Sequence, residues 1–285
     1  MAHDMEVVNP RAGLFRAILT AYGVLIYLFL FAPIAVMVLL SFNTSKVVGF
    51  PVTGLTLDWY SSLMQNMIIQ DALGKSLAVG VSVTVLATVI GTAAAFPLVR
   101  AHLKYRSAVR VFITLPIMIP GLLIGVAILV LSTNMLHLQP SLPIAVIGQT
   151  VLATPFVILV VSSRLESLDR NFERAAADLG AGPVQRLNFV VLPLVYPGIV
   201  AAALMAFTLS LDEFVVTNFV IGSDQTLPIY IYSQLKFGIT PEVNALASLM
   251  LFGTIALVAV TALGLRLIKS LTAKSRQEEE SGVPA

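Results

Sequence analysis

Strongly apolar stretches recur along the chain near 17 to 41, 76 to 99, 111 to 133, 141 to 163, 194 to 221 and 243 to 265, with polar segments between them. Each reaches the ~18–20 residues that a helix needs to cross a bilayer. None shows the ten-residue alternation of a barrel strand, so the pattern predicts helices. The expected fold is all-α: a polytopic transmembrane bundle of six spans, formed by residues 1–285 as a single domain without a dividing linker. The run from Ala17 through Phe42 is too long for the apolar core of a signal peptide and reads as the first span. Prolines at 33, 97, 116, 120, 155 and 197 each remove a backbone donor and predict kinks. Gly121-Leu-Leu-Ile-Gly125 would permit close helix packing, although chance occurrence in a glycine-containing span is the reading adopted.

The longest patterned polar segment, 164 to 193, is predicted to be a cytoplasmic loop with helices of its own. Leu165, Leu168, Phe172, Ala175, Ala176 and Leu179 recur at three- and four-residue steps and form one apolar stripe. Glu166 with Arg170, Arg170 with Glu173, and Arg174 with Asp178 stand at helical pairing distance. Gly180 is a helix stop, Gly182-Pro183 opens a second short helix, and the chain re-enters the membrane at Leu192-Pro193. A lipid-surface helix would show the same stripe but carries excess Lys and Arg. From Arg164 to Asp178 four acids outnumber three arginines, which favours docking to protein.

Composition sharpens this reading. The chain is 58% hydrophobic and 11% charged, with a mean hydropathy of +0.93, far from the ~25% charge of soluble domains. A net charge of +2 gives no reason to expect a nucleic-acid partner. Cysteine is absent, and His3, His102 and His137 match no ligand spacing, so no metal site is expected. Of the 17 Lys and Arg, fourteen fall in the N-terminus, the second and fourth loops and the C-terminal tail, against Lys46, Lys75 and Lys236 in the other loops. By the positive-inside rule both termini are cytoplasmic. The Glu278-Glu279-Glu280 end reads as a disordered tail. Gly74-Lys75-Ser76 imitates the end of a phosphate-binding loop, but Ile69 stands where that motif needs glycine, and topology puts it outside the cell. The chain is therefore expected not to be an enzyme.

Aligned on Gly180, the sequence reads Arg174-Ala175-Ala176, Ala177-Asp178-Leu179, Gly180, nine residues, then Val190-Val191-Leu192-Pro193. This resembles the cytoplasmic signature of the permease subunits of binding-protein-dependent ABC importers, Glu-Ala-Ala, three residues, Gly, nine residues, Ile-x-Leu-Pro. Arg174 departs from the usual glutamate, with Glu173 immediately before it, which leaves open which side chain makes the polar contact. Ala32-Pro33-Ile34 through Ser41-Phe42-Asn43, Trp59-Tyr60, Ser210 through Phe214, Thr226-Leu227-Pro228, Ile231-Tyr232-Ser233 and Thr240 through Leu246 are similar to the second permease of spermidine/putrescine importers.

The resemblance implies a type I permease fold in the bacterial inner membrane. It also implies a second, different permease subunit, a dimer of ATP-binding subunits that carries the ATP and magnesium, and an extracytoplasmic substrate-binding protein. No cofactor is expected on this chain. Glu173, Arg174, Ala175, Ala176, Asp178, Leu179, Gly180, Leu192 and Pro193 would then form the ATPase-coupling element, and Trp59 and Tyr60, in the first external segment, would either meet the binding protein or anchor the chain at the membrane interface. Asp212 and Glu213 in the fifth span would each cost roughly 2.5–3.5 kcal/mol at the bilayer centre if unpaired. Pointing ~100° apart on a helix, at most one, assigned here to Asp212, would face the path while the other pairs within the bundle or with a second subunit; the alternative is a structural pair at a subunit interface or facing water. A cationic amine would be drawn to them and to the rings of Tyr230 and Tyr232. The rival reading is an ATP-independent secondary transporter or channel, which has no use for a groove-docking helix.

Overall fold

The computed structural model of the chain describes residues 10–101, 104–236, 238 and 240–281. Among these the chain is helical, and its one β-type contact is an isolated antiparallel bridge between Asn43 and Leu55. The helices are α1 (Pro10–Leu40), α2 (Asp58–Gln65), α3 (Met67–Arg100), α4 (Arg106–Met118), α5 (Gly121–Val130), α6 (Leu142–Glu166), α7 (Asn171–Asp178), α8 (Pro183–Arg186), α9 (Leu192–Asp212), α10 (Val215–Val220), α11 (Leu227–Leu235) and α12 (Pro241–Ser281). Single π-helical turns, Leu131–Met135 and Leu187–Val191, follow α5 and precede α9. Five helical stretches are long and apolar enough to cross a membrane: Phe15–Leu40, Met67–Arg100, Leu142–Glu166, Pro183–Asp212 and Pro241–Gly264.

The stretch 111 to 133, expected as one span, is a broken pair. Arg106–Met118 and Gly121–Met135 meet at 93°. The cause is local: Pro120 forces Ile119 into extended backbone (φ −80°, ψ 129°) and contributes no amide hydrogen to continue the helix. The stretch 194 to 221 also breaks, with α9 ending at Asp212 and α10 beginning at Val215. Glu278-Glu279-Glu280, expected as a disordered end, continues α12. The stretch Leu271 through Glu280 contains neither Gly nor Pro, and its Lys, Arg, Gln and Glu are good helix formers.

The chain forms two compact units, one of residues 1–63 and 237–251, the other of residues 64–236 and 252–285. In the first, Asn43 organises the turn after α1. Its buried Oδ1 accepts from the Ser45 amide (3.2 Å) and from the Thr53 amide and hydroxyl (3.3 and 3.1 Å).

In the second, α3, α6 and α9 pack around one core. Val79, Val83, Ala87, Ala95 and Leu98 of α3 meet Ala153, Val157, Val161 and Leu165 of α6 and Val195, Ala202 and Ala206 of α9. Spacings of three and four residues put each set on one helix face. Missing side chains set the approach distance. A Cβ on Gly91 would lie 2.6 Å from Val157 Cγ1, and one on Gly198 would lie 2.7 Å from the Arg164 stem. Of the Gly121/Gly125 pair, one is used. Gly125 sits against Phe219 and the backbone of Val216, where a Cβ would come within 3.0–3.1 Å, whereas a Cβ on Gly121 would make only ordinary contact with Val215 at 3.8 Å. Gly125 thus admits α10, whose Val216 and Val220 close a second core with Ile124, Ile144 and Ala145.

Candidate functional site

The polar segment after α6 carries the two expected helices, α7 and α8, but the first begins only at Asn171 and does not take in the whole apolar stripe from Leu165. The chain leaves helical geometry at Ser167–Arg170, and Asp169 starts α7 afresh by accepting from the Asn171 amide (2.9 Å) and side chain (3.1 Å). This break divides the apolar stripe. Leu165 is fully buried and Leu168 packs on the α3/α6/α9 core, whereas Phe172, Ala175 and Leu179 are exposed, Leu179 by 89%. Gly180 takes φ +86°, ends α7 and lets the Ala181 amide return to the Ala176 carbonyl at 3.0 Å. Val184 of α8 and Phe189 of the π turn are exposed beyond it. A small helix–turn–helix therefore presents Phe172, Leu179, Val184 and Phe189 outward.

None of the three expected i,i+3 and i,i+4 ion pairs forms. Glu166 binds Arg106 (2.8 Å) and Arg110 (2.5 Å) of α4 through one oxygen, Oε1, and Glu173 pairs with Arg100 at the end of α3 (2.8 Å). Arg170 donates to the Val99 carbonyl at 3.3 Å, and Arg164 donates to the Leu194 carbonyl at 3.1 and 3.3 Å. Because the helix breaks before α7, these side chains turn inward across elements. Glu173 is accordingly held within the chain, while Arg174, Asp178 and Ala175 are exposed. Leu192 and Pro193 open α9 directly from the π turn.

At the other candidate site, Asp212 and Glu213 stand at the α9–α10 break. Glu213 caps α10: its carboxylate accepts from the amides of Val216 (3.0 Å) and Thr217 (3.3 Å) and from the Thr217 hydroxyl (3.2 Å). Gln149, 2% exposed in the middle of α6, donates to Thr217 Oγ1 (2.6 Å) and accepts from the Ser210 hydroxyl. Gln149, Ser210 and Glu213 of this chain of four side chains line a cavity of about 230 Å³ together with Pro116, Ile117 and Phe156. Asp212 is exposed and has no side-chain hydrogen bond or ion pair among the described residues. The two acids divide, one satisfied internally and one free, but not by helical spacing: α9 ends at Asp212 and Glu213 stands in extended backbone (φ −72°, ψ 109°).

Sequence reasoning passed over Gln149 and Thr217. The available signal was a glutamine inside an otherwise apolar span, where a polar amide needs a partner. Tyr230 is buried, so its ring is not open to a solute. Tyr232 is 42% exposed, but Lys236 Nζ lies 4.8 Å from its centroid and the Phe214 ring packs against it, tilted by 42°, at 4.5 Å. Trp59 and Tyr60 have structural duties: the indole N–H donates to the Asn43 carbonyl (2.8 Å), and the Tyr60 hydroxyl bonds Ser41 (2.7 Å). Lys75 of the imitation phosphate loop pairs with Asp71 and Asp224, and Ser76 accepts from the Leu227 amide. Among the described residues no cluster of three or more His, Cys, Asp or Glu could hold a metal ion; His3 and His102 lie outside them.

Residues 87–277 match the family described as binding-protein-dependent transport system inner membrane component. The chain is 35% identical over 243 residues to the putrescine transport system permease protein PotI of Escherichia coli K12, covering 83% of this chain and 86% of that one. It is 36% identical over 239 residues to the spermidine/putrescine transport system permease protein PotC of the same organism, covering 84% and 90%. A crystallised bacterial ABC transporter involved in import of the acidic polysaccharide alginate has a chain of similar fold (TM-score 0.65, 16% identity, 93% and 99% covered).

Proposed function

The chain belongs to the family of binding-protein-dependent transport system inner membrane components, and from that premise we propose that it is the second permease of an ATP-driven importer for putrescine, spermidine or a related small solute. Both termini are cytoplasmic in this reading. Its support is that Arg100, Arg106, Arg110, Arg164 and Arg170 gather where α3 and α6 end, while Lys75 stands at the start of α3.

The observation that carries the mechanism is the outward apolar face of α7 and α8 set on an inward charged root. Phe172, Leu179 and Val184 offer a knob to a groove on an ATP-binding subunit, which holds the ATP and magnesium. Glu173, through Arg100, passes the motion of that knob to α3, and Arg164 relates α6 to the start of α9. Closure of the ATPase dimer would then reorient the path between this chain and a different, paired permease by alternating access. Asp212 and the rim of the Gln149 cavity line that path, and a dication delivered by the binding protein meets Asp212 as a free carboxylate. Tyr232 assists only if Lys236 gives up its ring face, and Trp59 and Tyr60 present ring edges to the binding protein while their polar tips hold the turn. Purification from native membranes tests the assembly: an ATPase pair and a second permease should co-isolate, and isolation of a lone chain with full uptake activity would overturn it.

A further inference from the structure

A second cavity, of about 260 Å³, opens where α3, α4 and α6 end or begin, bordered by Val99, Arg100, Arg106, Glu166, Leu168 and Arg170. Its charges do not balance. Arg106 and Arg110 share the single oxygen Oε1 of Glu166, Arg100 has Glu173, and Arg170 has only the neutral carbonyl of Val99. Four guanidinium groups thus face two carboxylates. The next acid, Asp169, is occupied by the Asn171 amide and side chain. Moreover, Arg100 Nε and Arg106 Nε are shielded from solvent and donate to nothing among the described residues. A buried donor on a cation without an acceptor is costly, and a guanidinium fork is matched by an anion with several oxygens in a tetrahedral array.

We propose that this cavity binds a phosphate-bearing anion, held by Arg100, Arg106 and Arg170 over the apolar floor of Val99 and Leu168. The inference goes beyond the transport reading and rests on none of its substrate assignments. Such an anion would join Arg170, on the segment leading into α7, to the ends of α3 and α4, and so would stiffen the root of the exposed helix–turn–helix. Two sources supply this chemistry: the headgroup of an anionic lipid, for which basic pockets between helix ends are suited, or a soluble phosphate.

The test uses the full chain in neutral detergent, with melting temperature and retained lipid as readouts. Phosphatidylglycerol is titrated against phosphatidylcholine, and inorganic phosphate against chloride at constant ionic strength. Stabilisation by phosphatidylglycerol alone identifies a lipid site, and stabilisation by phosphate identifies a soluble ligand; either supports the proposal. Arg170→Gln and Arg106→Gln should each weaken the effect about five-fold or more, while Arg174→Gln, which removes equal charge from exposed α7, should leave it intact. If Arg106→Gln fails to fold because Glu166 loses a partner, Arg170→Gln decides the matter alone. No stabilisation by either ligand, or an undiminished response in Arg170→Gln, overturns the site.

Discussion

The Glu173 carboxylate lies 2.8 Å from the Arg100 guanidinium, with 27% and 18% of the two side chains exposed, and so ties the first turn of α7 to the last residue of α3. In a pair this sheltered, removing one partner leaves the other charge poorly compensated, and its position makes it a transmission link. Glu173→Gln should therefore leave the complex assembled but lower solute moved per ATP hydrolysed. The reciprocal exchange Arg100→Glu with Glu173→Arg should recover part of that ratio in proteoliposomes. An unchanged ratio in Glu173→Gln would remove the link from the account.

Gly180 tests backbone geometry apart from packing. At φ +86° an L-residue is strained by roughly 1–2 kcal/mol, yet a Cβ there would meet nothing within 4 Å. Transport should fall in the order Gly, Asn, Ala, Val, because Asn tolerates the left-handed region best. Equal activity of Gly180→Asn and Gly180→Val would argue that the turn does not matter.

The two acids at the α9–α10 break should behave differently. Asp212→Asn removes a free carboxylate, so uptake KM for a polyamine should rise with little change in melting temperature. Gln149→Leu strands the Ser210 hydroxyl and takes a donor from Thr217, which keeps its bond to Glu213, so stability should fall by about 0.6–2 kcal/mol, measured by thermal unfolding in detergent. An unaltered KM in Asp212→Asn would refute the path assignment.

Helix approach at Gly91 gives a packing prediction. Gly91→Ala drives a Cβ to within 2.6 Å of the Val157 Cγ1 and 2.7 Å of its Cβ and should cost about 1–3 kcal/mol, partly recovered by Val157→Gly, which removes both atoms. Additive losses in the double variant would contradict the close α3–α6 contact.

Much of this architecture was legible because a bilayer demands continuous apolar helices, and the run of spans follows from that demand alone. The break at Ile119–Pro120 was less so: several prolines sit in the spans, and only tertiary context decides which of them interrupts a helix. The loop shows the limit more sharply. Gly180 and Pro183 mark their turns by backbone chemistry that neighbours do not change. Glu166 and Glu173 have partners 60 and 73 positions away in Arg106 and Arg100, and i,i+4 reasoning pairs them with Arg170 instead. Asp169 tipped that balance by starting a new helix. Gln149 was visible as a polar residue in an apolar run, but its connection to Glu213 through Thr217 depends on how α6 and α10 meet.

The central claim, that this chain is the membrane subunit of an ATP-driven polyamine importer, is tested most directly by uptake of labelled putrescine and spermidine into proteoliposomes. The vesicles hold the co-isolated complex, with the binding protein outside and ATP inside. The account predicts uptake that requires both additions and fails when Leu179 on the docking face is replaced by Asp. Uptake at the full rate without ATP, driven by an ion gradient through this chain alone, would contradict it.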